Sequence, residues 1–155
     1  MIIPSGLAAA PGTAWPLSSA LPPMGALASV PAIARAHLDV TLANWQLADL
    51  AEAGELVVSE LATNAVQAST GPTGGVVYVN GMMPVVQVRL LSDRVLLLIE
   101  VWDQAGGFPA PRRAASGDES GRGLHLVDAL TGGRWGWQPT QGRPGKVVWA
   151  ALTAE

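Results

Sequence analysis

Two apolar segments joined by a two-residue turn constrain the fold of this chain more than any other feature. The segments 85–91 and 94–102 both read as β-strands, and Ser92-Asp93 between them predicts a tight antiparallel hairpin. The stretch 95–99 is apolar on both faces of its strand, whereas a strand with one solvated face alternates apolar and polar residues. We therefore expect the second strand of the hairpin to lie in the centre of a sheet.

Helices are predicted on both sides of this hairpin. Pro31 suits the first turn of a helix that continues to about residue 45. Apolar residues at a 3.6-residue period predict a second helix over 47–69. A loop over 103–123 follows the central strand, and the segment 124–131 then reads as a short third helix. A loop of about 20 residues within a compact domain is uncommon and is usually functional.

The remaining segments complete a sheet. The segments 76–79, 134–137 and 146–152 read as strands, and Asn80-Gly81 is a strong hairpin-turn signal. Hairpins with helices between them predict an α+β fold. We expect a two-layer sandwich in which a mixed, mostly antiparallel sheet is covered by helices on one face.

The chain has the length of one domain preceded by an arm. Its 155 residues can build one ordinary core. Six prolines within 1–31 exclude a long helix there. We divide the chain into a proline-rich arm over 1–30, with room for an edge strand at 14–21, and a folded domain over 31–155.

Composition excludes several classes of function. The net charge of −3 and the lack of a Lys/Arg run argue against nucleic acid as a partner. There is no cysteine, so neither a disulfide framework nor a thiolate metal site can form. No segment is long and apolar enough for a membrane span, and the start of the chain lacks the basic region of a signal peptide, so we expect a cytoplasmic protein. Charged residues make up only 14% of the chain, which indicates a surface covered by a protein partner.

Glu60 and Asn64 lie four residues apart on the second helix and therefore on one face of it. An Asn side-chain oxygen can ligate a hard cation, and a Glu carboxylate can accept a proton or orient a water. The pair is also compatible with a plain polar rim of the helix.

Two glycine-containing segments follow the central strand in sequence. Asp103 ends that strand ahead of Gly106-Gly107, so it can accept a hydrogen bond from the exocyclic amine of a base while the glycines allow close approach. It can equally be a simple turn residue. Residues 121–124, which are Gly-Arg-Gly-Leu, open the third helix, where free backbone N–H groups bind phosphate. A flexible joint is the alternative for them.

These three motifs, in this order, resemble the GHKL ATP-binding fold (the Bergerat fold) of histidine kinases, gyrase-type ATPases and the Hsp90 class. Within that group the chain is most similar to the anti-sigma-factor serine/threonine kinases and their stand-alone ATP-binding relatives. The resemblance covers about residues 30–152. It implies ATP and Mg²⁺ as cofactors and a lid over 110–120.

The resemblance also implies roles for individual residues. Glu60 would be the general base, Asn64 the Mg²⁺ ligand, and Asp103 the partner of the adenine amine, with Gly107 under the base. The phosphates would be held by the remaining motif, which comprises Gly121, Arg122, Gly123 and Leu124. The chain departs from the family pattern at Ala105, where relatives have glycine, and around Val147, where many have a hydroxyl residue.

The function expected from this resemblance is that of a regulatory serine/threonine kinase. It would phosphorylate a Ser or Thr on a small antagonist protein and could also sequester a sigma factor, with homodimerisation as a family-level expectation. The alternative is a non-catalytic ATP-binding module that recruits a partner protein. Glu60 favours the kinase, because a mere nucleotide binder does not need this residue.

Overall fold

The computed structural model describes residues 15–71, 75–106 and 119–154, with only the backbone described at 119–122. The elements occur in the following order along the chain: β1 (Leu17–Ala20), β2 (Met24–Gly25), α1 (Val30–Asn44), a 3₁₀ turn (Ala48–Leu50), α2 (Ala51–Ala68), β3 (Val85–Ser92), β4 (Leu96–Asp103), α3 (Glu119–Thr131), β5 (Trp135–Pro139) and β6 (Lys146–Thr153).

The strands form one sheet with β4 near its centre. Their order is β1-β3-β4-β6-β5, and β2 pairs with the other end of β3. Each of these pairings is antiparallel. Because β4 has β3 and β6 on its two sides, the prediction of a central strand is confirmed.

The helices cover one face of the sheet. Ile99 and Val101 of β4 belong to the same buried cluster as Leu38 of α1 and Leu61 of α2. Leu98, which points the opposite way in β4, belongs to a separate small cluster that contains no residue of the helices. The predicted two-layer α+β fold is therefore confirmed.

Close packing of the first two helices explains a glycine inside α2. A Cβ atom at Gly54 would lie 3.2 Å from both methyl carbons of Leu38 on α1. Glycine costs roughly 1 kcal/mol relative to Ala within a helix. At this position it allows α2 to approach α1, and Gly54 is therefore a packing residue.

The segment 76–79 differs from its prediction as a strand. It forms only isolated bridges, one of which joins Val79 to Met82. Asn80 and Gly81 both have positive φ, 51° and 75°, so the predicted turn is present. The side chains of this segment are half-buried or exposed, and four consecutive apolar residues without a buried face do not fix a strand.

The sheet reaches into the segment predicted as an arm. Leu17 pairs with Ser92 and Ala20 with Arg89, which makes β1 an edge strand beside β3. His37 of α1 also makes a 3.1 Å hydrogen bond with the Ser19 hydroxyl. Among the residues described, no helix combines the length and the apolar character that a membrane crossing requires.

Candidate functional site

Asp103, the last residue of β4, is held in a buried ion pair. The residue is 1% exposed. Its Oδ1 accepts hydrogen bonds from Lys146 Nζ at 3.0 Å and from the Ala105 N–H at 2.9 Å. Its other oxygen, Oδ2, is buried and has no hydrogen-bond partner among the described residues. Asp103 therefore keeps one acceptor for a ligand that donates a hydrogen bond.

Lys146 completes this group and was not predicted from the sequence. It is the first residue of β6 and lies directly opposite Asp103 in the sheet. The residue is 3% exposed, and its ammonium also donates to the Ala105 carbonyl at 3.3 Å. The sequence did contain one signal for this ion pair, namely a single lysine at the start of an otherwise apolar strand. A lysine that is buried with such a strand needs a buried partner for its charge.

Burial and charge act in opposite directions on Asp103. Burial raises the pKa of its carboxyl group above the ordinary value, while the Lys146 ammonium and the Ala105 N–H both act to lower it. A ligand amine that donates to Oδ2 would favour the ionised carboxylate further. The group thus suits a ligand with a hydrogen-bond donor.

Glu60 lies against the glycine motif of α3. It is half-buried on α2, and a Cβ atom at Gly123 would overlap its Oε2 and lie 3.2 Å from its carboxylate carbon. Only glycine therefore fits at 123 with Glu60 in this position. The structure brings together two of the predicted motifs, Glu60 and the Gly121–Gly123 segment. Asn64 is half-buried one turn further along α2.

The third helix begins earlier than predicted. It starts at Glu119 and not at Leu124, so the glycine motif lies within its first two turns. The first four N–H groups of a helix have no partner inside it. The Gly121 N–H is among these four, whereas those of Gly123 and Leu124 lie beyond them. Apolar periodicity did not predict the first residues of this helix, because they are polar and include two glycines.

Other predicted residues lie outside the described part of the chain or have no described side chain. Gly107 and the lid over 110–120 fall mainly within 107–118, which is not described. Of Arg122 only the backbone is described, and Leu124 is buried at 3% exposure.

The described residues contain no group of three or more His, Asp or Glu that could hold a metal ion by itself. A Mg²⁺ ion at Asn64 would therefore depend on phosphate oxygens and water for its other ligands. This is the usual mode for Mg²⁺ bound with a nucleotide. The residues present fit such an ion.

Comparison with known protein families gives the class of this protein. Residues 25–148 match the model of the histidine kinase-like ATPase domain. The chain therefore belongs to the histidine kinase-like ATPase domain family, and membership implies that it binds ATP. No curated protein matches the chain.

Proposed function

We propose that this chain is a serine/threonine protein kinase of the anti-sigma-factor type, which uses ATP and Mg²⁺ to phosphorylate a small antagonist protein. The supporting observation is the position of Glu60 against Gly123 on α3, with Asn64 one turn away. Nucleotide binding alone gains nothing from a carboxylate beside phosphates, since like charges repel. A base that accepts the proton of an attacking hydroxyl is a carboxylate of this kind.

Asp103 and Lys146 would recognise the adenine base. The unpaired Oδ2 of Asp103 can accept from the exocyclic amine. Lys146 uses two of its three ammonium hydrogens, on Asp103 and on the Ala105 carbonyl. The third can donate to the ring nitrogen beside the amine. A donor next to an acceptor is complementary to this edge of adenine, and Gly107 would lie beneath the ring.

The phosphates would extend from the base toward α3. Gly121 would contact them through its free backbone N–H, Gly123 and Leu124 would lie beside them in the second turn of α3, and Arg122 would add positive charge. The side-chain oxygen of Asn64 would be a ligand of Mg²⁺, which supplies neutralisation of the phosphate charge when bound.

Glu60 would act on the acceptor hydroxyl. As the hydroxyl oxygen attacks the γ-phosphorus, Glu60 takes its proton, the bond from phosphorus to the bridging oxygen breaks, and ADP leaves with that electron pair. The products are a phosphoserine or phosphothreonine and ADP. The second role, sequestration of a sigma factor, rests on the family resemblance, as does homodimerisation.

The test separates binding from transfer. ATP binding with Mg²⁺ is measured by calorimetry, and transfer is measured with γ-labelled ATP and small candidate antagonist proteins, taken first from the coding sequences that neighbour this one. Glu60→Gln should keep ATP affinity within about threefold and lower transfer by about 10²–10⁴-fold, the usual contribution of a general base. Asp103→Asn should lose binding and transfer together. Equal transfer by wild type and Glu60→Gln would refute the kinase assignment.

An ATP-binding interaction module is the second candidate, and an exposed apolar patch favours it. Leu27, Val77, Tyr78, Met82 and Met83 are large and between 39% and 71% exposed, and patches of this kind mark protein-binding surfaces. ATP binding without transfer to the antagonist, together with ATP-dependent binding of that protein, would favour the module. Absence of ATP binding would remove both candidates.

A further inference from the structure

The face of the sheet opposite the helices contains an open polar cavity of about 400 Å³. Its floor is formed by adjacent strands, with Arg89 paired to Glu100 and Trp102 paired to Val147. These side chains alternate with those that face α1 and α2, so the cavity lies on the other side of β4 from Asp103. A wall is added by Arg143 and its neighbours in the segment between β5 and β6.

Glu100, one of the lining residues of this cavity, has a carboxylate oxygen that is not used in its ion pair. The residue is 3% exposed. Arg89 donates to it from Nη2 at 2.5 Å and from Nε at 3.2 Å, and both bonds go to Oε2. The second oxygen, Oε1, is buried and has no hydrogen-bond partner within the part of the chain that the structure describes. A buried carboxylate oxygen without a hydrogen-bond partner lowers the stability of the fold. A ligand that donates a hydrogen bond to Oε1 would remove this cost.

Unused donors line the same cavity. The indole N–H of Trp102 and the hydroxyl of Thr140 are buried, and neither has a hydrogen-bond partner in the described ranges 15–71, 75–106 and 119–154. The guanidinium of Arg143 stacks on the Trp102 ring at 3.8 Å from its centroid. Stacking occupies the flat face of a guanidinium and leaves the N–H groups on its edge available. Two guanidinium groups against one carboxylate also give the cavity a net positive charge.

We propose that this cavity is a binding site for a small carboxylate that carries an amino or hydroxyl group. The ligand carboxylate would accept from the Trp102 indole N–H and from Arg143, which offsets the excess of positive charge. The amino or hydroxyl group would donate to Glu100 Oε1. The volume lies at the lower end of the range for small-molecule sites, which suits a metabolite.

Access to the site requires a local movement. The unpaired atoms of Glu100, Trp102 and Thr140 are shielded from solvent. Gln141 and Arg143, by contrast, have exposed side chains. Exposed side chains change rotamer at little cost within nanoseconds. The ligand would displace the Gln141 side chain, Arg143 would turn on the Trp102 ring to donate to the ligand carboxylate, and the strands would stay in place.

NMR tests the proposal, with the Trp102 indole N–H followed in spectra of the protein and the affinity of each variant measured on the ligand signals. The probes are the twenty L-α-amino acids and L-lactate, L-malate and citrate. At least one should bind and shift the Trp102 indole N–H signal, which is assigned by its loss in Trp102→Phe. Trp102→Phe keeps an aromatic ring and removes the donor, so it should weaken binding about tenfold, the effect of one hydrogen bond to a charged group.

Arg143→Gln changes an exposed residue and provides a second variant that should fold normally. It should also weaken binding about tenfold. Arg94→Gln, at an exposed arginine in the β3–β4 turn, is the matched control and should bind as wild type. No shift of the Trp102 signal with any probe, or equal binding by Arg143→Gln and Arg94→Gln, would overturn the proposal. So would shifts that depend on protein concentration alone, since a second copy would then cover this face.

Discussion

Glycine at position 123 leaves space for the carboxylate of Glu60. A Cβ atom there would overlap Glu60 Oε2, so any side chain must push α3 away from α2 or turn Glu60 aside. Overpacking of this kind costs about 1–3 kcal/mol, although Ala recovers roughly 1 kcal/mol through its helix propensity. Glycine thus serves to position Glu60, in addition to any contact with phosphate.

Gly123→Ala should therefore impair transfer more than it impairs folding. We expect a loss of at most about 2 kcal/mol in the free energy of unfolding by urea. Phosphoryl transfer should fall at least about tenfold because a displaced base is less effective. Gly75→Ala is the control, since a Cβ atom at Gly75 meets nothing within 4 Å. Wild-type transfer by Gly123→Ala would contradict the position assigned to Glu60.

Lys146 is expected to determine whether Asp103 can remain buried. The two residues are 3% and 1% exposed and form a 3.0 Å ion pair. Removal of one partner from a buried pair leaves an uncompensated charge and costs about 3–5 kcal/mol. Lys146→Met should lower the free energy of unfolding by this amount, measured by chemical denaturation.

The double variant Lys146→Met/Asp103→Asn is the control for that prediction. It removes both charges and should recover at least about half of the stability lost by Lys146→Met alone. Effects that simply add in the double variant would show that the two side chains do not stabilise each other.

At the level of elements, the sequence predicts best where the pattern is strong. The hairpin over 85–102 has long apolar strands and a short turn, and Asn80-Gly81 has residues that tolerate positive φ. Both are present in the structure. The prediction of a strand over 76–79 was wrong because four consecutive apolar residues do not by themselves supply a partner strand. The start of α3 was predicted too late in the chain, because two glycines interrupt the apolar periodicity of the helix.

The candidate site was predictable only in part, for a related reason. Glu60 and Asn64 share a helix, so their spacing places them together. The pairing of Asp103 with Lys146 joins residues that are 43 positions apart in the chain. It depends on the register of β4 against β6, which a single sequence does not determine. The cavity at Trp102 depends on the registers of several strands and was not predicted.

The start of β6 and the end of β4 approach so closely that Gly145 is required. It has a φ of 111°, and a Cβ atom there would overlap the Asp103 carbonyl oxygen and lie 2.8 Å from Gln104 Cα. Both the backbone conformation and the space exclude a side chain. This contact holds the strand ends that present Asp103 and Lys146.

Gly145→Ala should therefore destabilise the protein strongly and abolish ATP binding. We expect a loss of about 3 kcal/mol or more in the free energy of unfolding, from backbone strain together with a steric clash. Gly142→Ala separates these two causes. Gly142 has a φ of 77° but no atom within 4 Å of its Cβ position, so only strain of about 1 kcal/mol applies. Similar losses in both variants would show that the contact with Asp103 is unimportant.

For the molecule as a whole, the sheet separates two polar groups of different character. Asp103 and Lys146 lie on the helix side of the sheet, whereas Glu100 and Arg89 lie on the other side. The two acids, Glu100 and Asp103, are only three residues apart in β4. Each acid is at most 3% exposed and has one oxygen without a partner. Stability and ligand binding are therefore coupled, since any ligand that satisfies either oxygen would stabilise the fold.

Glu100 also makes the stability depend on pH. Burial raises the pKa of its carboxyl group above the ordinary value of 4.5, and Arg89 opposes the shift only in part. Between 4.5 and the higher pKa of the folded state, the folded protein binds more protons than the unfolded chain. The contribution of Glu100 to stability is therefore fully present below pH 4.5 and is lost as the pH rises through this window.

Glu100→Gln should remove this part of the pH dependence. Glutamine keeps the shape of the side chain but cannot ionise, so the free energy of unfolding of the variant, relative to wild type, should increase as the pH rises from about 4.5 to about 8. The measurement is urea denaturation at a series of pH values with the free energy of unfolding extrapolated to water. A constant difference between Glu100→Gln and wild type at all pH values would show that Glu100 has the same pKa in the folded and unfolded chain. Its unpaired oxygen would then be solvated or bound to a ligand, contrary to the structure.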